Sequence, residues 1–169
     1  ANTWAAQSEE LQRRVLARAD GNEAPIPTPW ESFNARMGGG LWPGFHVLVG
    51  GTGSGKSQWA MQVAIHAAKE HRIPVLVLSL ELDALGVFAR AASFVTMTAR
   101  TEGDDTLRTV PWSSFYTGGY HHDEARAADN RANIRAALPV VAPVLESLPV
   151  HWYEAPPHGL PYTRLRSIA

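Results

Sequence analysis

The chain has no cysteine among its 169 residues. Disulfides, thiol catalysis and cysteine-ligated zinc are excluded by that alone. It also lacks a dominant charge: 15 basic against 16 acidic residues leave a net charge of −1. No global basic field draws in nucleic acid, so any such role rests on local features. Long apolar runs are missing as well. The most apolar stretch, Ile73 to Leu80, contains Pro74 and Ser79 and falls far short of the roughly 20 residues that span a bilayer. The segment Ala1 to Asp20 is polar and mixed in charge, without the apolar centre of a signal peptide. A soluble cytoplasmic protein with no membrane partner is expected.

Hydrophobic residues make up 45% of the chain, enough for a globular core and too many for a disordered segment. The length suits one domain that needs neither metal nor disulfide to hold its core. Trp4 to Ala19 reads as an amphipathic helix, with Leu11, Val15 and Leu16 on one side and Glu9, Glu10, Arg13, Arg14 and Arg18 on the other. It is either a solvated terminal helix or an arm that docks on a neighbouring subunit. Asp20-Gly21-Asn22 ends it, and Pro25, Pro27 and Pro29 keep the next stretch extended.

Glu31 to Met37 predicts a short helix, closed by Gly38-Gly39-Gly40. Phe45 to Val49 predicts a strand buried on both faces of a parallel sheet, being apolar apart from His46. A helix follows over about Lys56 to Glu70, with Trp59, Ala60, Val63, Ala64 and Ala67 as its packing face. Val75 to Leu80 predicts a second buried strand, and a further helix runs over about Leu85 to Thr98. This order and spacing predict βαβ units with a parallel sheet.

Farther on, Thr101 to Tyr120 reads as a loop with a short turn. Glu124 to Leu138 is helical by composition, with a kinked continuation past Pro139 and Pro143 towards Leu148. Pro149 to Tyr153 predicts a short strand, and Thr163 to Ile168 the start of a last helix. The six tryptophans, Trp30, Trp42 and Trp59 among them, are expected in the core and at interfaces.

The most informative motif is Gly50-Gly51-Thr52-Gly53-Ser54-Gly55-Lys56-Ser57. It matches the Walker A pattern G-x-x-x-x-G-K-[ST], between an apolar run and a helical segment. Glycines let backbone N–H groups face inward as an anion nest, and the following helix adds its unpaired amides and positive dipole end. Lys56 then sits at the β- and γ-phosphates, and Ser57 offers a hydroxyl to Mg²⁺. The implied ligand is a nucleoside triphosphate, with ATP and Mg²⁺ expected. The competing reading is a glycine–serine loop with an incidental lysine.

Glu81 closes the second predicted strand. In an open parallel sheet, ligands lie at the C-terminal strand ends. A carboxylate there can orient a water for attack on the γ-phosphate, or it can be a helix-start carboxylate stabilised by the helix dipole. His121-His122-Asp123-Glu124 holds ligand-type residues, but adjacent positions cannot all face one metal, so a polar helix start is expected. Arg126, Arg131 and Arg135 read either as a solvated helix face or as a phosphate-closing lid, and Arg164 and Arg166 decide nothing about nucleic acid.

Taken together, Gly38 to Gly44, the phosphate loop and Ser79-Leu80-Glu81 resemble the RecA superfamily of ATPases, most of all the ATPase domain of DnaB-type replicative helicases, with RadA- and KaiC-like proteins next. The resemblance covers about Pro29 to Ala99, and Pro149 to Ile168 looks like the segment before the Walker B strand. It implies an α/β P-loop NTPase fold, a RecA-like parallel sheet flanked by helices and incomplete at the C-terminus. Residues 1–28 would be an N-terminal helix and linker, and 29–169 the N-terminal part of the ATPase domain.

The resemblance also implies that Glu81, 25 residues after Lys56, is the catalytic carboxylate. It further implies a homo-oligomer, ring or filament, and an engagement with DNA. The match departs from the family: no apolar strand ending in Asp follows Glu81, Val150-His151-Trp152-Tyr153-Glu154 is a poor substitute, and the family's later elements, the DNA-contacting loops, the sensor polar residue and the arginine finger, would also be missing. The chain is therefore expected to be part of a longer ATPase domain or a shortened relative. Two readings stand beside the helicase-type ATPase: a nucleotide-binding interaction module without turnover, and a small-molecule P-loop kinase.

Overall fold

The computed structural model describes residues 3–101 and 107–154. The chain divides into two compact units, Ala1–Leu48 and Val49–Ala169.

In the first unit, helix α1 spans Trp4–Ala19. Thr3 caps it, its Oγ1 accepting from the Ala6 amide at 3.1 Å. Gly21, at φ 74°, turns the chain after the helix, and Glu23 reaches back to Arg18 at 2.7 Å and Arg14 at 3.5 Å. The hydrogen bond from Arg18 is the main reason the Glu23 carboxyl lies below its ordinary range. No residue of α1 is buried. Ile26 and Leu41 then form an isolated antiparallel bridge. It requires Gly40, because a Cβ there would stand 2.3 Å from the Ile26 carbonyl oxygen. Helix α2, Glu31–Arg36, is tied to the proline-rich stretch by Asn34, which accepts from the Thr28 amide and hydroxyl at 2.9 and 2.7 Å.

The second unit holds helices α3 (Lys56–His71), α4 (Ala84–Thr101), α5 (Trp112–Thr117) and α6 (Glu124–Glu146) and a sheet of β1 (Val75–Ser79) and β2 (Val150–Glu154). The two strands are parallel, with Val75 level with Val150 and Ser79 level with Glu154. Val75 and Val77 pack on the helical core, whereas Leu76 and Leu78 remain about 40% exposed. The predicted second strand is therefore present but packed on one face only. An apolar run signals the capacity for two-sided burial, and the second layer must come from other chain segments.

The same physics corrects Phe45 to Val49. These residues carry no strand, and Phe45 and Val49 are 92% and 85% exposed. Strand-forming side chains make a strand only where a neighbour accepts the backbone hydrogen bonds.

Three further readings change. The buried face of α3 is Met61, Ile65, Ala67 and Ala68; of the expected face only Ala67 is fully buried, and the stripe through Ala60 and Ala64 is not. Met61 and Ile65 bring more apolar area per turn, and that decides which side faces inward. No tryptophan is fully buried among the described residues. Trp42 instead carries the Arg18 guanidinium 4.7 Å from its ring centre, and Trp112 carries that of Arg90 at 4.1 Å. Finally, α5 occupies part of the predicted loop. Pro111 precedes it, Phe115 anchors it in the core, and Gly118 ends it at φ 66°.

Helix α6 runs through Pro139 and Pro143. Burial of Ala137 and Val141 against the core offsets the lost backbone hydrogen bonds. Asp123 caps α6 through the Arg126 amide at 3.1 Å, so the His121-to-Glu124 run is a helix start as expected. Arg131 pairs with Glu124 of the same helix, which fits a surface face. The segment predicted as a last helix, with Arg164 and Arg166, lies outside the described residues. No described helix is long and apolar enough to cross a membrane.

A polar bridge crosses the core from Thr96. Its side chain is fully buried and accepts from the Val110 amide at 3.1 Å while donating to the Ser93 carbonyl at 2.9 Å. Thr96→Val keeps the shape but leaves the buried Val110 N–H without its acceptor. A loss of about 1–3 kcal/mol is expected, read as a lower urea midpoint with an unchanged slope. An unchanged midpoint would show that this bond adds nothing to stability.

Candidate functional site

The loop from Gly50 to Gly55 enters α3 without a side-chain cap. Gly53 and Gly55 lie at φ 76° and 87°, in the left-handed region. A Cβ on Gly55 would meet no atom within 4 Å, so its constraint is conformational rather than spatial. Gly50 is the reverse case: a Cβ would stand 2.6 Å from Ser54 Oγ. The Ser54 amide donates to the Gly51 carbonyl at 3.3 Å and closes the turn. Glycine-dependent turns thus lead into a 16-residue helix whose first amides receive no side-chain acceptor. That arrangement suits an anion.

Lys56 is the first residue of α3. Its Nζ curls over the loop and donates to the carbonyls of Gly50 and Gly51 at 2.8 and 2.7 Å. The ammonium is thereby held against the loop. Thr52, Gly53 and Ser54 are exposed.

Ser57 and Glu81 line the same cavity, of about 440 Å³, together with Met61, Leu76 and Leu78. It lies along α3 and β1, and no residue of β2 lines it among those described. Glu81 itself is exposed. Of the two roles open to it from sequence, the helix-start role belongs to Asp83, whose Oδ1 accepts from the Gly86 amide at 2.7 Å at the start of α4. Glu154 ends β2, level with Ser79, and does not line the cavity.

Sequence reasoning missed two contributors. Asp83 was visible as the residue before a helical run, three positions ahead of Gly86. Ser79 entered the sequence reading only as part of Ser79-Leu80-Glu81, and its hydrogen bonds to Leu82 are seen only in the folded turn. The candidate His121-to-Glu124 run holds no metal geometry. Among the described residues no group of three or more His, Cys, Asp or Glu could hold a metal ion.

The glycine loop and Lys56 lead into α3 beside Ser57, which lines the cavity that Glu81 also lines. No protein-family model, curated protein or solved structure matches the chain.

Proposed function

We propose that this chain binds Mg-ATP as a P-loop ATPase of RecA type, resembling the ATPase domain of DnaB-type helicases, with Glu81 activating water. One observation carries the reading: a glycine loop and an uncapped helix N-terminus converge with Lys56, one residue before a hydroxyl that shares a cavity with Glu81. The amides from Gly51 to Ser57 hold the phosphate oxygens. Lys56 exchanges the Gly50 and Gly51 carbonyls for the β- and γ-phosphates, a swap of neutral acceptors for charged ones that favours the bound state.

Ser57 Oγ would be the protein's ligand to Mg²⁺, which when bound would supply positive charge to the phosphate oxygens. Glu81 accepts a hydrogen bond from a water that attacks the γ-phosphorus. The bond to the β–γ bridging oxygen breaks, the water's proton passes to the carboxylate and then to solvent, and ADP and phosphate leave.

The test is calorimetric titration with ATP, with and without Mg²⁺, beside a phosphate-release assay. Saturable Mg-dependent binding with release supports the ATPase. Binding without release supports a nucleotide-responsive interaction module. No binding removes both.

A further inference from the structure

The turn that presents Glu81 is built by its neighbours. Ser79 is the last residue of β1 and only 9% exposed. Its hydroxyl donates to the Leu82 carbonyl at 2.7 Å and accepts from the Leu82 amide at 2.8 Å. One oxygen atom thus closes both backbone groups of the residue that follows Glu81. Without it they would be left for water or unpaired at a part-buried position.

The other flank is equally held. Asp83 accepts from the Gly86 amide, and Arg90 Nη1 donates to the Gly86 carbonyl at 3.0 Å. Space at Gly86 is tight, for a Cβ there would stand 2.9 Å from Asp83 Oδ1. Glu81 and the 78%-exposed Leu80 are the free positions of a turn pinned at both ends.

We infer that Ser79 is a positioning residue for Glu81, its hydroxyl fixing the Ser79–Leu82 turn so that the carboxylate stays at the cavity shared with Ser57. This rests on the proposed catalytic role of Glu81 and adds the residue that sets its place. Ser79 also lines that cavity, but its hydroxyl is already engaged by both backbone groups of Leu82, so it acts through the turn. Its removal therefore lowers turnover without weakening ATP binding, since the nucleotide is held by the loop and Lys56. A side chain displaced by about 1 Å can cost on the order of 100-fold in rate.

The experiment compares the full chain with its Ser79→Ala, Ser79→Thr and Glu81→Gln variants. Measured are Mg-ATP affinity, single-turnover hydrolysis and amide hydrogen exchange at Leu82. Ser79→Ala is expected to exchange the Leu82 amide about tenfold faster, the equivalent of one net hydrogen bond. It should lower the hydrolysis rate about tenfold or more and leave affinity within twofold. Ser79→Thr, which keeps the hydroxyl, restores both exchange and rate. Unchanged exchange at Leu82 in Ser79→Ala overturns the inference whatever the nucleotide does. Undiminished hydrolysis in Ser79→Ala, with Glu81→Gln inactive, overturns it while leaving Glu81 in place. Full hydrolysis in Glu81→Gln, or none in the parent chain, overturns the catalytic reading and this inference with it.

Discussion

Replacing Lys56 with alanine is expected to weaken Mg-ATP binding by about 100-fold or more. The ammonium is the one formal positive charge that the phosphate loop itself carries, and the loop's other contributions are partial charges on amides. Charge-assisted hydrogen bonds contribute about 1.5–3 kcal/mol each, and losing those to two phosphates reaches about 3 kcal/mol, or two decades in affinity.

Folding should hardly respond. In the free protein the same Nζ makes two exposed bonds to the carbonyls of Gly50 and Gly51, and water replaces an exposed donor at little cost. Stability is expected to change by no more than about 0.5 kcal/mol. Calorimetric titration beside urea denaturation separates the two effects. Unchanged affinity would remove the phosphate-loop assignment. Lost affinity accompanied by a large drop in stability would mean that the lysine holds the loop rather than the ligand.

The elements legible from sequence were those with a local cause. Helix α1 carries its stripe of Leu11, Val15 and Leu16, and α6 starts at Asp123 because a carboxylate there caps free amides. β1 and β2 follow from short apolar or aromatic runs bounded by Pro74 and Pro149. The glycine turn before α3 was readable for the same reason: positive φ at Gly53 and Gly55 is a property of single residues, and a helix beginning at Lys56 needs nothing distant.

What sequence could not supply was pairing and orientation. Phe45 to Val49 has the composition of a strand, yet a strand is a relation between two segments. The buried face of α3 depends on what α4 and β1 present to it. That is why Met61 and Ile65, rather than the alanines one residue earlier, point into the core. The continuation of α6 past Pro139 and Pro143 was expected, and tertiary burial at Ala137 and Val141 is what outweighs the local helix penalty there. Ser79 is the sharpest case at the site. It reads as one polar residue in an apolar run, and only the folded turn shows its hydroxyl gripping Leu82 at both ends.

Glu81→Gln separates holding the nucleotide from using it. The substitution preserves size and exchanges a carboxylate for an amide, so the turn between Ser79 and Asp83 and the cavity wall beside Ser57 should be unaltered. An amide cannot take a proton from water. General-base assistance is worth about 10²–10⁴-fold, and a fall in single-turnover rate of that size is expected. Affinity should stay the same or rise, because a negative charge has been removed from beside a polyanion.

The direction of that second effect is diagnostic. If Glu81 instead served the nucleotide as a binding group through the metal, removing its charge would weaken Mg-ATP affinity along with the rate. The same substitution at Asp83 gives the contrast. Asp83→Asn retains an oxygen that accepts from the Gly86 amide, so it should leave hydrolysis within a fewfold of the parent. Turnover that survives in Glu81→Gln but fails in Asp83→Asn would reverse the two assignments, making the helix-capping carboxylate the one that meets water.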